Sequence, residues 1–212
     1  MRIDKSESFV CRGEMELSGA TLTLKDSQLS RNWLEQQDLV EVGIPLSSCK
    51  VWDDLSSNLP GTAAADDLAI VEGIFGTDAP TIQSDNQGSN GTPTAAYARF
   101  MVPIYNDYVL GESIQLSFRA GMVTAVSDTT ATLDLVVYVN DGDGAVGTDI
   151  CATSAQSINS LTKAEYDFTI TPTSLAYGDI LDCRVAITIE DATTGTVIGE
   201  ISKISLLRDI RG

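Results

Sequence analysis

From residue 113 onward the chain alternates apolar and polar side chains with a period of two, which sends successive residues to opposite faces of a strand. In SIQLSFRA, Ile114, Leu116, Phe118 and Ala120 share one face and Ser113, Gln115, Ser117 and Arg119 the other. In ATLDLVVYVN the inward set is Leu133, Leu135, Val137 and Val139, opposed by Thr132, Asp134, Val136 and Tyr138. In ILDCRVAITIE, Leu181, Cys183, Val185, Ile187 and Ile189 face away from Ile180, Asp182, Arg184, Ala186, Thr188 and Glu190. Strands with one wet face belong to antiparallel sheets, since parallel sheets are covered on both sides. The expected fold is therefore all-β, an antiparallel β-sandwich of jelly-roll-like form.

Chain-turning residues sit where each run stops: NDGDGAVG at 140–147, AYGD at 176–179 and DATTG at 191–195. Further strands are expected at 69–75, 95–104, 166–170, 197–201 and 204–210, a spacing that suits a sandwich or jelly roll. A polar loop, SDNQGSNGTPT, is expected to run exposed over 84–94. Residues 1–54 lack a self-contained pattern. They hold strand-like pieces at 14–17 and 20–24 and a short helix signal at 32–37 with Ser30 as its cap. The expected division is an N-terminal arm or extension, 1–54, and a β-sandwich domain, 55–212.

The chain has 212 residues, of which 43% are hydrophobic and 20% charged, enough to bury a core. Acidic residues outnumber basic ones 30 to 13, and the formal net charge of −17 opposes binding to nucleic acid phosphates. Between Lys50 and Arg99 no basic residue occurs, whereas Asp53, Asp54, Asp66, Asp67, Glu72, Asp78 and Asp85 all do. This reads as a solvated acidic surface, the alternative being a dock for a basic partner or a cation. The charged start, MRIDKSESF, does not resemble a secretory leader, and no apolar run reaches the ~18 residues that span a bilayer. No membrane partner is expected.

No histidine is present, so Ser-His-Asp and Cys-His pairs are excluded, and the commonest general base at neutral pH is missing. A carboxylate pair could still serve a glycosidase, but thirty acidic residues make such pairs by chance, and no enzymatic activity is expected. Cys11, Cys49, Cys151 and Cys183 show no CxxC spacing and read as thiols made in a reducing cytoplasm, with a Cys11 to Cys49 bridge left open. Asp141, Asp143 and Asp149 are the nearest approach to a calcium loop. Ala145 stands where the EF-hand spacing needs its third ligand, so the loop reads as a hairpin connection, with no metal or other cofactor expected.

Tyr97, Tyr105, Tyr108, Tyr138 and Tyr177 are candidates for stacking on sugar rings, by phase or by loop position. Core or interface packing is the commoner fate of such side chains. Arg99, Arg119 and Arg184 lie on outward phases, where Asp134 or Asp182 could pair with them across strands. The outward apolar residues Val136, Ile180 and Ala186 are the first candidates for a docking patch, and Trp33 and Trp52 the second.

Over 95–212 the segments YARFMVP, LSFRAGMVTAVSDTTATLDLVVYVNDGDGAVGTDIC, QSINSLTKAEYDFTITPTSLAYGDILDCRVAITIEDATTG and ISLLRDIRG resemble poorly characterised structural proteins of marine and environmental tailed-phage virions. The resemblance carries no catalytic signature. It implies a virion component on the capsid surface, made in the host cytoplasm: a homotrimeric decoration, or cement, protein that stabilises the lattice of the major capsid protein. The alternative role is a glycan- or receptor-binding module of a phage fibre or tail.

Overall fold

The computed structural model describes residues 15–18, 21–24, 37–64, 66–71, 73–112, 114–145, 147–173, 175–193 and 195–211. Twelve strands are formed among them: β1 Met15–Ser18, β2 Thr21–Leu24, β3 Gln37–Ile44, β4 Ala69–Val71, β5 Thr81–Gln83 and β6 Thr94–Pro103, followed by β7 Ile114–Met122, β8 Thr130–Asn140, β9 Gln156–Ser157, β10 Ala164–Ile170, β11 Ile180–Glu190 and β12 Gly199–Arg211. The chain divides into two compact units, Met1–Asp38 with the last two residues, and Leu39–Ile210. In the first, β1 and β2 pair as an antiparallel hairpin.

The second unit is a sandwich of two antiparallel sheets, and its pairing follows a simple rule. β5 pairs with β12, β6 with β11, β7 with β10 and β8 with β9, a ribbon nested four deep. The ribbon is wrapped so that β12 also meets β7, and β11 also meets β8. The sheet orders are thus β10-β7-β12-β5-β4, with β3 on β12, and β6-β11-β8-β9. This nesting is the jelly roll that the alternation implied.

The buried face of each strand is the one the sequence marks. Ala131, Leu133, Leu135 and Val137 of β8, Leu181, Cys183, Val185, Ile187 and Ile189 of β11, and Ile114, Leu116, Phe118 and Ala120 of β7 are all buried. Between the sheets, Phe100 of β6 meets Phe118 of β7 at 6.2 Å, and Phe118 meets Phe168 of β10 edge to face at 5.6 Å. Such pairs each add about 0.5–1.5 kcal/mol to the burial itself.

Two expectations change, and a third lies mostly outside the described residues. The strands expected at 197–201 and 204–210 are one strand, β12, whose register slips between Ile201 and Lys203. The extra residue of that bulge lets Ile201, Ile204 and Leu206 all face inward, so the break in alternation is a phase shift within one strand. The strand expected over 69–75 stops at Val71, and the amides of Thr77 and Asp78 both donate to the Ile74 carbonyl in a tight turn. Of the helix expected at 32–37, Gln37 opens β3, while 32–36 lie outside the described residues, as do Cys11 and Trp33.

Residues 84–93 form a loop, and much of it is held down. The amides of Ser84 and Gln87 donate to the carbonyls of Gly199 and Val197, and both side chains are buried. The fully buried Asp191 carboxylate accepts from the amides of Ser89 and Asp128, at 3.1 and 2.9 Å, so one side chain ties this loop to two others. Residues 39–54 contribute most of β3 to the larger sheet and the buried Cys49 to the core. Among the described residues no helix is long and apolar enough to cross a membrane.

Candidate functional site

β6 ends its sheet, and an uncovered edge strand invites pairing with another chain. Here the segment running from Ile44 to β4 lies along it. Lys50 and Arg99 exchange backbone bonds at 2.8 and 3.0 Å, the Leu68 amide donates to the Tyr97 carbonyl at 2.9 Å, and the Tyr97 amide to the Asp66 carbonyl at 2.7 Å. Cys49, Leu59 and Leu68 insert into the core and pin the segment in place. Trp52 is thereby placed over the outer face of the four-stranded sheet.

On that face the register sets Arg184 of β11 between Arg99 of β6 and Val136 of β8, and Asp182 between Met101 and Tyr138. A cleft of about 400 Å³ opens there, lined by Trp52, Arg99, Tyr138, Asp182 and Arg184, with the loop after β8 forming its rim at Asn140, Gly144 and Ala145. The rim is shaped by its own side chains: Asn140, Asp141 and Asp143 each accept the amide two residues on, at 3.1, 3.1 and 2.7 Å. Gly142 and Gly144, with φ of 87° and 81°, supply the left-handed turns between them.

The side chains in the cleft are held from behind. The Arg184 guanidinium lies 4.9 Å from the Tyr97 ring centre and 5.7 Å from that of Trp52, and the two rings are 5.2 Å apart. Stacking of this kind fixes a cation at a gain of roughly 0.5–2 kcal/mol. The Trp52 indole N–H donates to Asp66 Oδ2 at 3.2 Å. Arg99 grips Asp182 with Nε at 2.7 Å and with Nη2, and this bond pushes the Arg99 pKa up. The cleft therefore offers guanidinium donors, a phenol, one carboxylate already gripped by arginine, and an indole face.

Its cations are not equivalent. Among the described residues Arg99 pairs with Asp182, Arg119 with Glu165, Lys163 with Glu200, Lys203 with Glu41 and Arg208 with Asp107, while Lys50 bonds Asn58. Arg184 has no oxygen partner, and its buried Nε makes no hydrogen bond. Of the two carboxylates named as partners for the outward arginines, Asp182 takes Arg99, and neither takes Arg184.

The residues singled out in the sequence are distributed unevenly. Tyr138 and Trp52 line the cleft, and Tyr97 supports it. Tyr108 is a correction: it is fully buried, with its hydroxyl donating to the Glu112 carbonyl at 2.6 Å, so it is a core residue and not a stacking surface. Tyr105 lies over Arg208, and Tyr177 is exposed. Val136 and Ile180 are half-buried on the outer face, and Ala186, between Tyr97 and Asp134, is covered.

Asp141, Asp143 and Asp149 line a second cleft of about 460 Å³ with Thr148, Thr171 and Thr173. Asp149 Oδ1 accepts the amides of Val137 and Cys151, both at 2.9 Å, so it fastens the loop to β8. Among the described residues no three acidic or cysteine side chains gather as a metal site. Cys49, Cys151 and Cys183 carry free thiols, and burial pushes that of Cys49 up to about 12.

No protein family description matches this chain, and neither does any curated protein. Among solved structures it is similar to the xylan-binding module CBM15, at 13% identity and a TM-score of 0.45, over 82% of this chain and 100% of that one. It is similar also to the CBM22-1 xylan-binding domain from Paenibacillus barcinonensis Xyn10C, at 11% identity and a TM-score of 0.39, over 82% and 99%. A third likeness is to a chain of infectious bursal disease virus Gt strain, at 14% identity and a TM-score of 0.39, over 100% of this chain and 42% of that one. At such scores these likenesses say nothing of what this chain binds; its own strand pairing makes it an antiparallel jelly-roll sandwich.

Proposed function

We propose that this protein is a non-catalytic binding module whose ligand is a glycan held in the cleft on the four-stranded sheet. The observation that carries the reading is the assembly of Trp52, Tyr138, Arg184 and the Arg99–Asp182 pair around one open cleft of about 400 Å³. Sugars present an apolar C–H face and a rim of hydroxyls, so they call for an aromatic face beside donors and acceptors already held in place. Rings amphipathic like those of tryptophan and tyrosine suit that surface, and a few convergent polar groups fix orientation. Asp182 is the carboxylate among the described lining residues, and with Arg99 bound across it, it serves as an oriented acceptor and not as a general acid.

The test is binding of the purified protein to a panel of immobilised polysaccharides, with the single substitutions Trp52→Ala and Tyr138→Ala. Retention of the wild type on one or more polysaccharides, reduced at least tenfold by either substitution with unchanged melting, is the expected result. A wild type that passes unretarded over the whole panel would refute it.

A second reading, the decoration of a viral capsid as a homotrimer seated on the major capsid protein, is favoured by a different feature. Ile74 and Phe75, at the turn between β4 and β5, are 71% and 103% exposed, and apolar tips of this kind suit burial against another protein. This reading requires stoichiometric protein in purified particles and a loss of particle binding in Phe75→Ser, with polysaccharide binding untouched.

A further inference from the structure

We infer that the glycan carries a carboxylate, and that Arg184 is the residue that receives it; this rests on the glycan reading of the cleft. In a chain with 30 acidic and 13 basic residues, carboxylate partners are plentiful. Lys50, Arg99, Arg119, Lys163, Lys203 and Arg208 have each taken an oxygen partner, yet Arg184, in the middle of the outer face, has none. Asp182 is its neighbour on β11 but is turned to Arg99, which holds both of its oxygens.

The two rings that flank Arg184 explain how an unpaired cation is kept in place. Trp52 and Tyr97 fix the guanidinium through contacts at 5.7 and 4.9 Å and leave its hydrogen-bond donors uncommitted. An arginine whose orientation is already set loses little freedom on meeting a planar anion, and carboxylates match its fork in a bidentate way. A hydroxyl offers one acceptor at a time and no charge, so it uses the same group less fully.

The net charge of −17 limits the kind of ligand. A densely charged polyanion is repelled over the Debye length, so the fitting class is an oligosaccharide with an occasional uronic-type or other carboxylated sugar, recognised one unit at a time. The repulsion is long-ranged and the Arg184 contact short, and raising salt from about 10 to 150 mM shortens the screening length from roughly 30 to 8 Å. Affinity for such a ligand should therefore hold or rise across that range, unlike that of a basic surface for a polyanion.

The experiment is a glycan array containing matched acidic and neutral oligosaccharides on several backbones, probed with wild type, Arg184→Gln, Arg184→Lys and Trp52→Ala. The best acidic binder is then remeasured by calorimetry beside its carboxyl-reduced form. Carboxyl reduction should cost wild type about tenfold or more, and Arg184→Gln, folded by its melting curve, about as little as twofold. Arg184→Lys should fall between them, because it keeps the charge and loses the fork. Binding to neutral glycans with no penalty for carboxyl reduction would overturn the inference and leave the glycan reading standing. Silence across the array would overturn both.

Discussion

Asp67 lies half-buried on the segment that covers β6, with its Oδ1 lacking a hydrogen-bond partner. Burial, followed by the nearby charges of Asp66 and Asp53, pushes its pKa up. A carboxyl whose folded pKa exceeds its unfolded one binds more protons when folded, so stability falls as pH rises from the unfolded value of about 3.9 through the folded one. At neutral pH the charge is therefore a liability. Asp67→Asn should raise the melting temperature at pH 7, and the gain should vanish near pH 3, where the wild-type carboxyl is protonated in both states. Equal shifts at both pH values would show that the charge is not the cause.

At the scale of elements, the two sheets meet closely where β12 begins. A Cβ built on Gly199 would stand 2.7 Å from Cγ2 of Ile187, a buried residue of β11 in the other sheet. Gly199→Ala should therefore lower stability by about 1–3 kcal/mol in urea unfolding, as overpacked cores do. Gly147→Ala, where a Cβ meets nothing within 4 Å, should change it by less than about 0.5 kcal/mol. Finding the two alike would mean that the sheets yield at that point. The strands that form this contact were unequally legible in the sequence. β7, β8 and β11 announce themselves because each keeps one face dry over seven residues or more. β5 and β9, with three and two residues, are too short to show a period, and β12 hides its continuity behind a bulge. The cleft shows the same limit. Tyr138, Arg99 and Arg184 were each readable as outward-facing, but their meeting depends on β6 lying beside β11. Trp52 reaches them through a segment held by backbone bonds and three scattered core residues, which leave no periodic trace.

For the whole molecule, the nested ribbon makes the sandwich depend on pairs far apart in sequence, so the start of the cooperative unit decides what a truncation destroys. Sequence patterning suggested an extension ending at residue 54, whereas the compact sandwich unit begins at Leu39. Residues 39–54 supply β3 from Leu39 onward, a strand that pairs with β12, and Cys49, which is 1% exposed in the core. They also carry Lys50 and Trp52, so the covered edge of β6 and the wall of the cleft go with them. Two truncations separate the alternatives. Removing residues 1–38 keeps β3 from Leu39 onward, Cys49 and the segment that covers β6, and should leave a single sharp unfolding transition close to that of the full chain. Removing residues 1–54 leaves a hole where Cys49 packed and bares backbone groups on β12 and β6. That chain should melt several degrees lower, by the few kcal/mol that buried side chains and edge bonds contribute, and should self-associate through its exposed edges. Polysaccharide binding should survive the first cut and be lost with the second. Identical melting of the two would place the folding boundary beyond residue 54 and make β3 an accessory strand.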